Sequence, residues 1–111
     1  MDTDSAIAVL SALAQPSRLE CFRLLVTREP EGLAAGEIAR EMGIPQNTMS
    51  SHLAILARAE LVTAVRCGRS IIYRAELERL RALSLFLLKD CCGGDRALCA
   101  PLIEELTASC C

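Results

Sequence analysis

The stretch from Gly36 to Leu61 constrains the fold most strongly, because it predicts two short helices joined by a tight turn. In the first helix Ile38 and Met42 lie four residues apart, so both fall on one face. Gly43 follows where a helix end takes a left-handed residue, a conformation that costs glycine little. The sequence therefore predicts that a second helix starts directly after this glycine.

The second helix has one apolar side and one polar tip. Pro45 suits its start, because proline has no N–H to leave unpaired there. Apolar residues at spacings of four and three form its predicted buried stripe: Met49, Leu53 and Leu56. Polar residues occupy its N-terminal side: Gln46, Asn47, Ser50 and Ser51. This layout is typical of a helix-turn-helix, whose second helix enters a DNA major groove. A plain helical hairpin is the alternative.

A β-hairpin is predicted after Leu61, where the helical spacing of apolar residues is lost. Two β-prone runs, residues 61–66 and 69–75, surround a turn at Cys67-Gly68. Arg66 and Arg69 lie at the predicted tip. A basic hairpin directly after a recognition helix indicates a wing that contacts phosphates or a minor groove. A hairpin that only adds solubility is the alternative.

The distribution of charge favours this interpretation, although the formal net charge is −2. Residues 46–75 carry a local charge of +3, whereas residues 1–33 and 76–111 each carry −2. The local field matters more for nucleic-acid binding than the total charge.

Helices are also predicted before this unit, over residues 5–14 and 17–28, followed by a loop at residues 29–32. Three apolar residues share one side of the first helix: Ile7, Leu10 and Leu13. Four are predicted to point inward from the second: Leu19, Phe22, Leu25 and Val26. Cys21 neighbours that stripe and is expected to be a free, buried thiol.

A last helix is predicted from Glu76 to about Asp90 and is apolar on more than one side. Apolar residues make up 52% of the chain, more than so small a domain can hide. We therefore expect a mostly α winged helix-turn-helix with a small β-hairpin, which forms a homodimer through its terminal helices. The predicted division is a DNA-binding and dimerisation domain at 1–92 and a Cys-rich tail at 93–111.

The chain has seven cysteines, of which five crowd its last 21 residues: Cys91, Cys92, Cys99, Cys110 and Cys111. Neither a secretory segment nor a membrane-spanning run is predicted, so a cytoplasmic protein is expected. Thiols stay reduced there, and clustered cysteines bind metal more often than they form disulfides.

The chain resembles the ArsR/SmtB family of winged-helix, metal-responsive repressors over about residues 6–90. The matching segments are LAQPSRLECFRLL, IAREMGIPQNTMSSHLAILARAELV and RCGRSIIYR. The most specific are the S-S-H-L-x-x-L run, the A-x-L-V that follows it and the G-R-x-x-x-Y wing. The resemblance implies a bacterial cytosolic homodimer that binds an inverted repeat at its own promoter. It also implies release from that DNA by a toxic metal or metalloid.

Two signatures of that family are missing. Many of its arsenic sensors carry a Cys-x-Cys pair on the first helix of the helix-turn-helix, but residues 32–37 hold no thiol. The family's zinc site of His and Asp residues on the last helix is also absent, because the only histidine is His52. Neither inducer site is therefore expected here.

Specific contacts with operator DNA are expected from the polar tip and the wing. Gln and Asn pair with adenine, Ser bonds several base edges, and Thr bonds phosphate. His52 is expected to pack or to position a phosphate rather than to bind metal. The predicted DNA-binding residues are Gln46, Asn47, Thr48, Ser50, Ser51, His52, Arg66 and Arg69.

The C-terminal thiols predict an inducer site for arsenic(III) or a related thiophilic metalloid, since soft centres favour thiolates. Cys91, Cys92 and Cys99 would supply three sulfurs, because the Gly93-Gly94 bend can bring the third one back. Cys110 and Cys111 are additional candidates, as a second pair, a delivery site or a frayed tail. Free surface thiols are the alternative for the whole cluster.

Three other classes of protein use the same features. A redox-sensing regulator would form disulfides from these cysteines, and an architectural DNA-binding protein would ignore them. A thiol enzyme needs a cysteine at a strand-to-helix turn beside a base, and no such arrangement is visible. We therefore expect neither enzymatic activity nor a catalytic cofactor.

Overall fold

The computed structural model describes residues 1–88, which form helices around one apolar core and a three-stranded antiparallel sheet. The helices are α1 (Thr3–Leu13), α2 (Pro16–Thr27), α3 (Ala35–Met42), α4 (Gln46–Arg58) and α5 (Leu77–Leu88). The strands are β1 (Leu33–Ala34), β2 (Val62–Cys67) and β3 (Ser70–Ala75). The predicted class, mostly α with a β-hairpin wing, is confirmed. The boundary at residue 92 and the five C-terminal cysteines lie outside the described residues.

The helix-turn-helix of α3 and α4 forms as the sequence predicts. Gly43 ends α3 in the left-handed conformation, with a φ of 65°. Pro45 directly precedes α4 and acts as its N-cap residue. Four predicted inward side chains are fully buried: Ile38, Met49, Leu53 and Leu56. Met42, on the same face as Ile38, is half-buried against the core. This buried stripe fixes which side of α4 remains in water.

The buried faces of α1 and α2 differ from the expected ones. Ile7 and Leu10 share a side of α1, but Ile7 is 55% exposed and Leu10 is 44% exposed. Smaller residues of α1 enter the core instead: Ala6, Val9 and Ala12. In α2, Leu19 and Val26 are exposed, so their predicted burial is wrong, whereas Cys21 is fully buried. Small side chains face inward because α1 packs closely against α2 and α4.

The sheet contains one strand that the sequence does not predict. β1 pairs with β3, which is the middle strand of the order β1-β3-β2. Leu33 lies opposite Tyr73, and Ala34 lies opposite Ile72. A two-residue strand has no periodicity to detect, so only its partner identifies it.

The wing is the β2–β3 hairpin, Val62–Ala75. Its two-residue loop is Gly68-Arg69, because Cys67 pairs with Ser70. The predicted turn was therefore one residue too early. Gly68 has a φ of 64°, a conformation that glycine adopts without steric cost. The correction moves Arg69 into the loop itself.

No helix within residues 1–88 combines the length and the apolar character needed to cross a lipid bilayer.

Candidate nucleic-acid interface

The exposed N-terminal end of α4 forms a polar surface, which we call the α4 tip. Its members are Gln46, Asn47, Thr48, Ser50 and Ser51, and all five are exposed. Met49 lies among them in sequence but points into the core, where it is fully buried. One buried side chain therefore anchors the turn that presents five polar ones.

Hydrogen bonds order part of the α4 tip. The Ser51 hydroxyl donates to the Asn47 carbonyl oxygen at 3.3 Å, and Asn47 Oδ1 accepts from the Thr48 N–H at 2.9 Å. The Gln46 amide lies against the first turn of α3, 3.9 Å from where a β-carbon on Gly36 would stand. Pro45, the N-cap residue of α4, provides no side-chain hydrogen bond to the helix. The first-turn N–H groups other than that of Thr48 can therefore bind a phosphate.

His52 lies beside the buried stripe of α4 and is half-buried. Its Nδ1 atom is buried and has no hydrogen-bond partner among residues 1–88. An imidazole turned inward in this way suits packing better than contact with a base edge. Its expected role in packing or phosphate positioning stays a prediction.

The wing presents both predicted arginines to solvent. Arg66 lies near the end of β2 opposite Ile71, and Arg69 lies in the two-residue loop. Every residue of β2 after Val62 is exposed, so the hairpin projects from the domain. Neither arginine forms an ion pair with any acidic residue that the structure describes. Both guanidinium groups are therefore free to bind phosphate.

The other arginines of the predicted basic cluster contribute less to this surface. Arg58 is exposed, but it ends α4 about 18 Å from Gln46. Arg74 is bonded to Glu29, whose carboxylate raises the pKa of that guanidinium. Within this cluster, Arg66 and Arg69 are therefore the arginines that the wing presents without an ion pair to a described residue.

The ion pair between Glu29 and Arg74 was not predicted. Glu29 belongs to a loop that its turn residues identify, and Arg74 belongs to the wing. These residues are 45 positions apart. No local sequence pattern links residues at that separation, so this ion pair is visible only in the tertiary structure.

The two described cysteines do not form a metal site. Cys21 is fully buried, and burial raises the pKa of its thiol to about 11, so its prediction as a free core thiol is confirmed. Cys67 is exposed on the wing. Within residues 1–88 no three His, Cys, Asp or Glu side chains lie close enough to hold a metal ion. The predicted arsenic ligands lie beyond these residues.

Sequence comparison identifies relatives of the whole winged unit. Residues 13–65 match a family described as a helix-turn-helix domain. The nodulation protein NolR of Rhizobium meliloti is 33% identical over 94 residues, which cover 85% of this chain and 74% of NolR. The Mycobacterium tuberculosis regulator KmtR is 36% identical over 77 residues, which cover 69% of this chain. The chain spans only 57% of KmtR.

Solved structures share the same architecture. An ArsR-like transcriptional regulator from Rhodococcus has a TM-score of 0.72 and 26% identity, with coverage of 93% of this chain and 92% of that one. The winged helix-turn-helix domain of Mycobacterium bovis Mb0332 is described as homodimeric and as a possible ArsR-family transcriptional regulator. It has a TM-score of 0.64 and 30% identity, with coverage of 77% of both chains. A third, described as a possible regulator for arsenical resistance, has a TM-score of 0.62 and 27% identity, with coverage of 70% and 78%.

The Rhodococcus structure covers 93% of this chain, so the likeness extends beyond the helix-turn-helix to the wing and the flanking helices. KmtR is a helix-turn-helix transcriptional regulator. The chain belongs to the ArsR/SmtB family of winged-helix transcriptional regulators.

Proposed function

We propose that this protein is a homodimeric repressor that binds an operator and is released by arsenic(III) bound to its C-terminal cysteine thiolates. The observation that carries the DNA-binding part is the exposed α4 tip together with a wing whose two arginines form no ion pair with a described residue. Helix α4 packs against β2, so the recognition helix and the wing form one continuous unit.

In this proposal the α4 tip enters the major groove, and the wing lies along the backbone. Asn47 and Ser50 offer amide and hydroxyl groups to base edges, and a good bidentate contact contributes about 1–3 kcal/mol of discrimination. Arg66 and Arg69 bind phosphate and supply affinity that depends on salt but not on sequence.

Exposed apolar side chains on the terminal helices support a homodimer. Ile7 and Leu10 are exposed on α1, and Leu85 and Leu87 are 53% and 52% exposed on α5. Helices α1 and α5 contact each other within the subunit, so these side chains belong to neighbouring elements. Mb0332, with the same fold, is described as homodimeric. A second copy of the chain is the occupant that we propose for this surface.

Charge placed on this surface is expected to separate the subunits. With Leu10→Glu or Leu87→Glu, sedimentation should detect mostly monomer at concentrations where the wild type is a dimer, because a carboxylate is costly to bury in an apolar interface. Val65→Glu is the matched control, since Val65 is 50% exposed on the wing. A dimer that persists in both α1 and α5 variants, with the same affinity as the control, would contradict this interface.

The thiols of the proposed arsenic site are those beyond residue 88. Cys21 is sealed in the core and Cys67 has no metal-ligating neighbours among the described residues, so neither suits a three-sulfur site. Cys91, Cys92 and Cys99 would hold the metalloid, with Cys110 and Cys111 as additional candidates. The structural relative described as a possible regulator for arsenical resistance supports this choice of ligand.

The position of these cysteines in the chain suggests how binding would release DNA. Cys91 follows Leu88, the last described residue of α5, by three positions. Metalloid binding would therefore act on α5 and, through its contact with α1, on the subunit interface. Two recognition helices must match half-sites about one turn of DNA apart, so a small rotation of the subunits weakens binding.

Operator binding titrated with arsenite and methylarsenite tests this site. Replacing Cys91, Cys92 or Cys99 singly by serine should raise the arsenite concentration needed for release at least about tenfold, within the usual range of allosteric coupling. Cys67→Ser is the control and should respond like the wild type. Methylarsenite needs only two thiols, so one of the three replacements should leave its effect intact. Release by an oxidant and recovery with a reductant, without any arsenite response, would select the redox-sensing alternative.

A further inference from the structure

We propose that Glu29 is a positioning residue for DNA binding. From the loop between α2 and β1 it holds Arg74 of β3, and this contact sets the direction in which the wing carries Arg66 and Arg69. The inference rests on the proposed DNA-binding function and assigns a role to a residue that does not face DNA itself.

The contact between Glu29 and Arg74 fixes a direction as well as a distance. Glu29 Oε2 accepts from a terminal guanidinium nitrogen of Arg74 at 2.7 Å, and Oε1 accepts from Nε at 3.3 Å. The Glu29 side chain is only 21% exposed, and that of Arg74 is 43% exposed. Two parallel bonds between planar groups restrict rotation more than a single ion pair does.

The same loop contacts β3 at a second point. A β-carbon on Gly32 would lie 2.5 Å from the Tyr73 carbonyl oxygen and 2.9 Å from Ile72 Cγ2, so the loop backbone touches the strand. The pairing of β1 involves only Tyr73 and Ile72 of β3. Together these contacts hold three consecutive residues, Ile72 to Arg74, at the base of the wing.

Beyond these residues, toward its tip, the described part of the wing is exposed on both strands. The residues of β2 after Val62 are exposed, and Ser70 and Ile71 of β3 are exposed as well. Arg69 lies five residues beyond Arg74, or about 16 Å along an extended strand. A rotation of about 10° at the base would move the tip by about 3 Å over that length, which is more than a hydrogen bond tolerates.

A different role for Arg74 makes the opposite prediction. If Arg74 were itself a phosphate ligand, Glu29 would compete with DNA for it, and removing the carboxylate charge would tighten binding. If Glu29 positions the wing, removing that charge loosens the wing and weakens binding. The sign of the effect therefore separates the two roles.

The test is Glu29→Gln, with Glu31→Gln as the matched control. Both variants remove one negative charge from the same loop, but no hydrogen bond joins Glu31 to Arg74 in the described structure. We expect operator affinity to fall three- to tenfold for Glu29→Gln and to stay equal or rise for Glu31→Gln. In a background of Arg66→Ala and Arg69→Ala, the effect of Glu29→Gln should disappear, because it acts through those arginines. If Glu29→Gln weakened binding only by destabilising the fold, the loss of affinity would persist in that background.

A second measurement needs no DNA. Amide order parameters from ¹⁵N relaxation at Ser70 and Ile71 should fall in Glu29→Gln but not in Glu31→Gln. Equal order parameters, or tighter operator binding by Glu29→Gln, would overturn the inference. A wild-type protein that fails to bind operator DNA would refute the proposed function instead, and the relaxation result would still decide whether Glu29 holds the wing.

Discussion

Replacing Gly32 with alanine is expected to lower the free energy of unfolding by about 3 kcal/mol. Gly32 has a φ of 74°, where a residue with a β-carbon is strained by about 1 kcal/mol or more. The new β-carbon would also stand 2.5 Å from the Tyr73 carbonyl oxygen and 2.7 Å from Arg74 Cγ. Relieving such overlap typically costs a further 1–3 kcal/mol, on the order seen for overpacked cores. Urea unfolding at a fixed protein concentration measures the loss.

Two other glycines of the chain serve as matched controls. Gly43 and Gly68 have φ values of 65° and 64°, and within residues 1–88 a β-carbon built on either would meet nothing within 4 Å apart from its own chain neighbours. Alanine at each should therefore cost only the backbone strain, about 1 kcal/mol. If Gly32→Ala cost no more than these two variants, the close contact between the loop and β3 would be refuted.

Removing both wing arginines is expected to weaken operator binding about 10- to 100-fold at low salt. Each phosphate contact contributes about 0.9 to the slope of log K against log salt concentration on duplex DNA. The Arg66→Ala and Arg69→Ala double variant should therefore have a slope flatter by about 1.8, with a similar loss on every operator variant. Fluorescence anisotropy over a series of salt concentrations measures both quantities.

Variants outside the wing show whether the loss of operator affinity is specific to the wing arginines. Arg23→Ala removes an exposed arginine of α2 and should leave the salt slope unchanged. Asn47→Ala should relax sequence preference at particular base pairs and also keep the slope, because it removes a base contact rather than a phosphate contact. A wing variant that lost sequence preference without a flatter slope would contradict the phosphate-binding role.

Whether the sequence predicts a structural feature depends on the range of the interactions that form it. The helix-turn-helix was predictable because each of its signals is local. The stripe of Met49, Leu53 and Leu56 and the glycine at position 43 depend on spacing within a few residues. The wing followed from a change in apolar spacing and a Gly-containing turn, with an error of one residue in that turn. The exposure of the α4 tip and of the two wing arginines was predictable for the same reason.

The sequence alone therefore determined the order of the elements, the α4 tip and the two wing arginines, because local periodicity specifies them. The tertiary structure decided which apolar side of α1 enters the core, since Ile7 and Ala6 lie on different faces of one apolar helix. It also decided the pairing of β1 with β3 and the bond from Glu29 to Arg74. These outcomes depend on contacts between distant parts of the chain, and the periodicity of one segment carries no information about its distant partners.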